Sequence, residues 1–418
     1  MFNEKLLKLS EKIEMEIRPV FETYEKIAFN NQIKVLKAFK ECKISDIHFN
    51  STSGYGYDDI GRDVIDEVFA KAFGAEDCLV RHNIISGTHA LATALFGVLR
   101  PSDIMLSVTG KPYDTLEEVI GIRGEDGNGS LKDYGIKYHQ IDLVNGEIDY
   151  NAIKKYLQEN KVKMVFIQRS KGYLDRPSLC IDEIKKISDF VKEIQKDVIV
   201  MVDNCYGEFV EEKEPTQVGV DIMAGSLIKN PGGGMAETGG YIAGRKDLIT
   251  LCAYRLTSPG IGKEVGATLN QNKSIVKGLF FAPHIVKEAI KTAIFAAALY
   301  ENLGFIVEPR FDSKRTDIIS SIRFNDKDKL IAFCQGIQMG SPVDSHVLPE
   351  PWAMPGYSDE VIMAAGTFVQ GASIELSADA PIKEPYLAYL QGGLTFESGK
   401  FGILSSCQNL IDKELINL

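Results

Sequence analysis

At 418 residues the chain is too long for one hydrophobic core and suits two or three domains. A net charge of −11, with no dense cluster of Lys and Arg, argues against nucleic acid as a partner. No run of about 18 apolar residues occurs, which argues against a membrane span. The seven cysteines are scattered without a CxxC pair, and the six histidines form no HExxH pair. That usage reads as reduced thiols in the cytoplasm, with no metal site.

The first 20 residues read as an amphipathic charged helix, not a signal peptide, with Leu6, Leu7, Ile13, Ile17 and Phe21 at helical spacing. Helix-forming sequence extends to about 46, with a second helical run over 32–42. A polar, glycine-bearing loop follows at 51–59, then a helix over 61–73 that stops before Gly74. From Cys78 the texture changes. Short apolar runs at 78–82, 103–108, 161–168 and 197–203 read as strands. They alternate with helices after residue 88, at 114–121 and at 181–195.

Such alternation predicts an α/β domain with a mainly parallel sheet, helices on both faces and right-handed crossovers. Ligands of such sheets bind beyond the carboxyl ends of the strands. A long amphipathic helix over 284–302 is stopped by Gly304. After it the texture is α+β, with a Pro- and Met-bearing stretch around 339–357. The predicted organisation is an N-terminal helical segment (1–50), a large α/β domain (51–300) and a small α+β domain (301–418).

Four short segments, in turns or after apolar strands, carry what a pyridoxal-phosphate site needs. Lys229 ends an SxxK motif and precedes a glycine-rich loop. An amine buried beside a cationic ring becomes nucleophilic near neutral pH, and Ser226 on the same segment can reach the cofactor phosphate. The bland alternative is a surface lysine before a glycine turn. Asp203 closes a strand of six apolar residues. A buried acid there needs a partner, and a protonated pyridinium is one. A helix cap or a metal ligand is the alternative. Ser86, Gly87 and Thr88 lie between a strand and a helix, where backbone N–H groups and hydroxyls can hold a phosphate. Ordinary N-capping explains the same residues. Tyr113, after the next strand, can stack on the ring or be a structural tyrosine. Cys205, close to Asp203, reads as a small buried hydrophobe, and the rest of segment 204–209 adds little by itself.

The order of these signals is more specific than any one of them. The chain resembles the aluminium-resistance family, related to the methionine γ-lyases and cystathionine β-lyases of cysteine and methionine metabolism. The resemblance rests on GYGYDDIGRD (54–63), SGTHA (86–90), TGKPYDTLEE (109–118), VDNCYGEF (202–209), KNPGGGMAETGGY (229–241) and QGGLTFESGK (391–400). It spans essentially the whole chain. It implies a fold-type I enzyme with Lys229 as the Schiff-base residue and Asp203 on the pyridinium nitrogen. It further implies that Gly87, Thr88 and Ser226 contact the phosphate and that Tyr113 stacks on the ring.

In the related lyases a tyrosine and an arginine of a neighbouring subunit complete the phosphate site. Tyr55 or Tyr57, with Arg62, are the counterparts here. The resemblance thus implies a homo-oligomer, at least a dimer and commonly a tetramer. The implied activity is elimination of a sulfur substituent from a small amino acid. Transamination, racemisation, aldol-type cleavage, decarboxylation and non-catalytic binding of the cofactor are the alternatives. Two departures stand out: Ile228 replaces the usual hydroxyl before the lysine, and no arginine follows Arg323 to hold a substrate carboxylate. Arg169, just after the strand ending at Gln168, is the candidate replacement.

Overall fold

The computed structural model describes residues 2–174, 176–354 and 359–418. Residues 355–357 of the Pro- and Met-bearing stretch therefore lie outside the described residues. Helix α1 (Glu4–Glu41) starts at Asn3, whose side chain accepts from the Lys5 amide. Its buried stripe of Leu6, Ile13, Ile17, Phe21 and Tyr24 continues through Val35 and Ala38. The two helical runs expected from sequence are therefore one helix, packed along a later long helix and passing through Pro19 without a break.

The large sheet contains β1 (Asp77–Arg81), β2 (Ile104–Ser107), β3 (Lys137–Gln140), β4 (Met164–Gln168), β5 (Ile199–Asp203), β6 (Ile222–Ser226) and β7 (Gly240–Gly244). Among the described residues it is seven-stranded, in the order β1-β7-β6-β5-β4-β2-β3. Strands β2 to β6 pair in parallel, while β7 runs antiparallel to both β6 and β1. In β5 the side chains of Val200 and Val202 enter one core, and Ile199 and Met201 enter the other. Burial on both faces is why this strand reads as an unbroken apolar run.

Helices α2 (Ile60–Phe73), α3 (Gly87–Val98), α4 (Asp114–Ile120), α5 (Tyr150–Glu159), α6 (Ile181–Ile194) and α7 (Lys246–Leu256) surround that sheet. Helix α8 (Asn272–Asn302) begins well before the expected His284, because Ile275, Val276, Leu279 and Ala282 already carry its buried stripe. Beyond it, β8 (Ile306–Glu308), β9 (Ser320–Arg323), β10 (Val361–Ala364), β11 (Ser377–Pro381) and β12 (Leu387–Gln391) form a second, antiparallel sheet in the order β10-β11-β12-β9-β8. Helices α9 (Lys327–Met339) and α10 (Phe396–Asp412) pack against one another beside it. No helix among the described residues is long and apolar enough to cross a membrane.

Candidate active site

A cleft opens where the carboxyl ends of the large sheet meet the small sheet. The large sheet contributes Tyr113, Gln168, Asp203, Cys205, Tyr206 and Lys229, and the small sheet contributes Asp379, Tyr389 and Gln391. Strands β4 and β5 end level with one another, Gln168 opposite Asp203, so both side chains emerge at the edge where a ligand can lie. Lys229 follows β6 by one turn, which brings its amine to the same edge.

The segment after β5 supplies most of the local geometry, although its sequence alone carried little weight. Asp203 Oδ1 accepts the Cys205 amide at 3.1 Å, turning the chain sharply. Tyr206 then takes φ 73°, a left-handed conformation uncommon outside glycine. That turn places its ring beneath the Lys229 ammonium, with Nζ 4.0 Å from the ring centroid. Asn230, next to Lys229, donates to the carbonyls of Tyr206 and Glu208, each at 3.0 Å, and fastens the lysine's backbone to this turn.

Charge in the cleft follows from burial and from these neighbours. Burial pushes the Asp203 carboxyl above its ordinary range, and the Lys229 ammonium opposes that shift. For Lys229 burial acts downward, but the surrounding Cys205, Tyr206, Asp203 and Glu208 outweigh it and hold the amine above the usual lysine range. The Cys205 thiol is pushed up by burial and by Asp203, and the Lys229 ammonium opposes that shift. Glu208, fully enclosed, is lifted by burial to about 8 while its Oε1 accepts from the Tyr241 hydroxyl at 2.7 Å.

The phosphate-loop residues divide by role. The Ser86 hydroxyl accepts from the His89 amide at 3.0 Å, so it serves as the N-cap of α3, the bland alternative. Thr88 Oγ1 meets Thr115 Oγ1 at 2.6 Å and ties α3 to α4. Gly87 lies against the cleft floor, where a Cβ would come within 3.1 Å of Cys205 Sγ and 3.6 Å of Ser226 Cβ. The Ser226 hydroxyl is buried and has no hydrogen-bond partner among the described residues. A buried orphan hydroxyl next to the unpaired amides of a helix's first turn is what a phosphate fits. These residues fit pyridoxal phosphate: a lysine, a strand-end acid and a tyrosine line one cleft, and Gly87 and Ser226 lie close together behind Cys205 of its wall.

One expectation is corrected. Arg169 does not face the cleft. Its guanidinium is completely buried and donates to Asn204 Oδ1 at 2.8 Å and Glu211 Oε2 at 3.0 Å. It is packed beneath Gly207, whose Cβ would fall 2.4 Å from Nη1. Three acceptors on the far side, counting Glu214, draw the side chain away from the ligand edge. Arg62 is likewise inward, donating to the Gly56 carbonyl at 2.6 Å and to the carbonyls of Gly266 and Glu264. It braces the loop that carries Tyr55 and Tyr57, both exposed and neither lining the cleft of its own chain. Sequence reasoning missed Tyr173, Tyr206, Asp379, Tyr389 and Gln391, and undervalued Cys205. The VDNCYGEF and QGGLTFESGK segments, already singled out, were the signal for Tyr206 and Gln391.

A seven-stranded, mainly parallel sheet with a lysine and an acid at its carboxyl edge, completed by a small antiparallel sheet, defines the fold-type I pyridoxal-phosphate enzymes. The pyridoxal-phosphate-dependent protein YhfS of Escherichia coli shares this fold at 16% identity, with a TM-score of 0.62 over 92% of this chain and 96% of that one. Within the class, the chain belongs to the methionine gamma-lyase family, whose profile matches residues 6–411. It is 55% identical to the Bacillus subtilis protein YnbB over 414 residues, 99% of this chain and 98% of that protein. A carbon-sulfur lyase involved in aluminum resistance from Clostridium novyi is 55% identical, with a TM-score of 0.95 over 98% of this chain and 96% of that one.

Proposed function

We propose that this protein is a pyridoxal-phosphate-dependent carbon-sulfur lyase acting on a sulfur-containing amino acid by β- or γ-elimination. The observation that carries the reading is the convergence of Lys229 and Asp203 on one cleft beside the orphan Ser226 hydroxyl. Family membership and the Clostridium novyi carbon-sulfur lyase support the reaction class.

When bound, pyridoxal phosphate supplies an electron sink for the charge left when a proton leaves the substrate Cα. Ser226 Oγ and the first-turn amides of α3 would hold its phosphate, with Tyr113 and Cys205 available to its ring. Asp203, screened from water, would pair with the ring nitrogen and favour its protonated form. Lys229 Nζ would be the residue that holds the cofactor, and its free amine would be the base positioned to take the substrate's Cα proton. The Tyr206 ring beneath Nζ favours the ammonium that results. Elimination would break the Cβ–S or Cγ–S bond, the sulfur leaving as a thiol with a proton returned by the Lys229 ammonium, and water would release the remainder as a keto acid and ammonia.

Tyr55 and Tyr57 stand exposed with ring centroids 5.5 Å apart. We infer that they serve the cleft of a neighbouring subunit in a homo-oligomer, with Arg62 holding their loop in shape.

The test is the visible absorbance of the protein with pyridoxal phosphate, before and after borohydride reduction, in wild type and Lys229→Ala. A band lost on reduction, with the adduct on Lys229, and release of ammonia and a keto acid from a sulfur amino acid are expected. An undiminished band in Lys229→Ala would overturn the assignment. Cofactor uptake without turnover of any sulfur amino acid would overturn the lyase reading.

A further inference from the structure

The cleft contains a carboxylate that the chemistry above does not use. Among its described lining residues Lys229 is the only cation, whereas Asp203 and Asp379 are both acids. Asp379 lies in the middle of β11, directly opposite Tyr389 of β12. Side chains two apart on a strand share a face, so Tyr389 and Gln391 project to the same side as Asp379. Gln391 Nε2 donates to Asp379 Oδ2 at 3.1 Å, and Tyr173 lines the same cleft beside it. Tyr389 in turn donates to the Tyr173 carbonyl at 2.8 Å, holding that loop against the small sheet. Burial raises the Asp379 carboxyl, while Gln391, Tyr173 and the Lys229 ammonium act to keep it ionised. The result is an oriented acceptor facing the reactive lysine from across the cleft.

We propose that Asp379 selects the substrate by receiving a second cationic group. The site would then take an amine with an ammonium, or a similar cation, distal to its reacting amino group. This rests on the reading that Lys229 marks the reacting end of the cleft. An ammonium placed there gains a charge-assisted hydrogen bond. An anionic tail meets a like charge in a partly desolvated space and is rejected. Gln391 acts as a positioning residue that fixes the carboxylate's direction.

The test uses three probes of equal chain length: lysine, norleucine and α-aminoadipate, with cationic, neutral and anionic tails. Binding to the cofactor-loaded protein is read by the change in visible absorbance and, independently, by calorimetry. Wild type should bind lysine about tenfold to a hundredfold more tightly than norleucine, with α-aminoadipate weakest. Asp379→Asn keeps an acceptor for Gln391. It should bring the lysine-to-norleucine ratio close to one while leaving the cofactor band intact. A wild type without lysine preference, or a variant that weakens all three probes equally, overturns the proposal. A calorimetric preference for lysine in a protein that takes up no cofactor supports Asp379 and overturns only the cofactor reading.

Discussion

Replacing Arg169 with alanine separates the two roles that sequence and structure give it. In the fold its guanidinium bonds Asn204 at 2.8 Å and Glu211 at 3.0 Å, and lies 4.0 Å from Glu214. Glu211 keeps a second partner in Lys314, but Glu214 is fully buried and would lose its nearest cation. Removing one member of a buried ion pair costs about 3–5 kcal/mol, because the remaining charge stays desolvated. At about 2.1 cal/mol/K per residue, a chain of 418 residues unfolds with an entropy near 0.9 kcal/mol/K if it unfolds as one unit. The expected fall in Tm is therefore about 3–6 °C. Thermal denaturation of Arg169→Ala and Arg169→Lys should show the larger fall for alanine and partial recovery for lysine. Substrate affinity, measured on the folded fraction, should change little. An Arg169→Ala protein with wild-type Tm and a specific loss of substrate binding would refute this reasoning and restore Arg169 to the ligand edge.

Glu208 gives a pH signature. Burial raises it from 4.5 to about 8, so the native state retains a proton that the unfolded chain releases across that interval. Its stabilising contribution is complete below about 4.5 and is lost as pH rises through about 8. The stability of wild type relative to Glu208→Gln should fall across this window by at most about 1.4 kcal/mol per pH unit. Denaturation curves that stay parallel at every pH would contradict it. Gly87→Ala brings a methyl within 3.1 Å of Cys205 Sγ and should raise the pyridoxal-phosphate concentration at half-saturation about tenfold. Adding Cys205→Ala should recover part of that loss, and strict additivity of the two changes would refute a direct clash. If Tyr57 serves a neighbouring cleft, mixed oligomers of Lys229→Ala and Tyr57→Ala should regain activity that neither variant shows alone. No recovery after proven subunit exchange would return Tyr57 to its own chain.

What could be read in advance follows from the range of the interactions involved. Strand β5 was legible because burial on both faces leaves five apolar-to-acid positions with no polar interruption. Asp203 was legible for the same reason, since an acid ending such a run must meet something charged. Helix α1 was legible as helix but not as a single element. The run over 32–42 read as a second helix is the end of the same element, and its packing along α8 is something no local pattern reports. Arg169 was misread because its decisive partner, Glu211, is 42 residues away and on the opposite side of the turn. Asp379 was invisible for a stronger version of the same reason. Its position in the cleft depends on antiparallel pairing of β11 with β12, and on that small sheet closing over the edge of the large one.

The segment 203–209 joins both cases. Its side chains point in turn to the cleft, to Arg169, to Gly87, beneath Lys229 and to Tyr241, because left-handed residues at Tyr206 and Phe209 destroy any strand or helix period. Periodicity can find the frame of such a site. The turns that aim its side chains have no period, so they are readable only once their distant partners are in place.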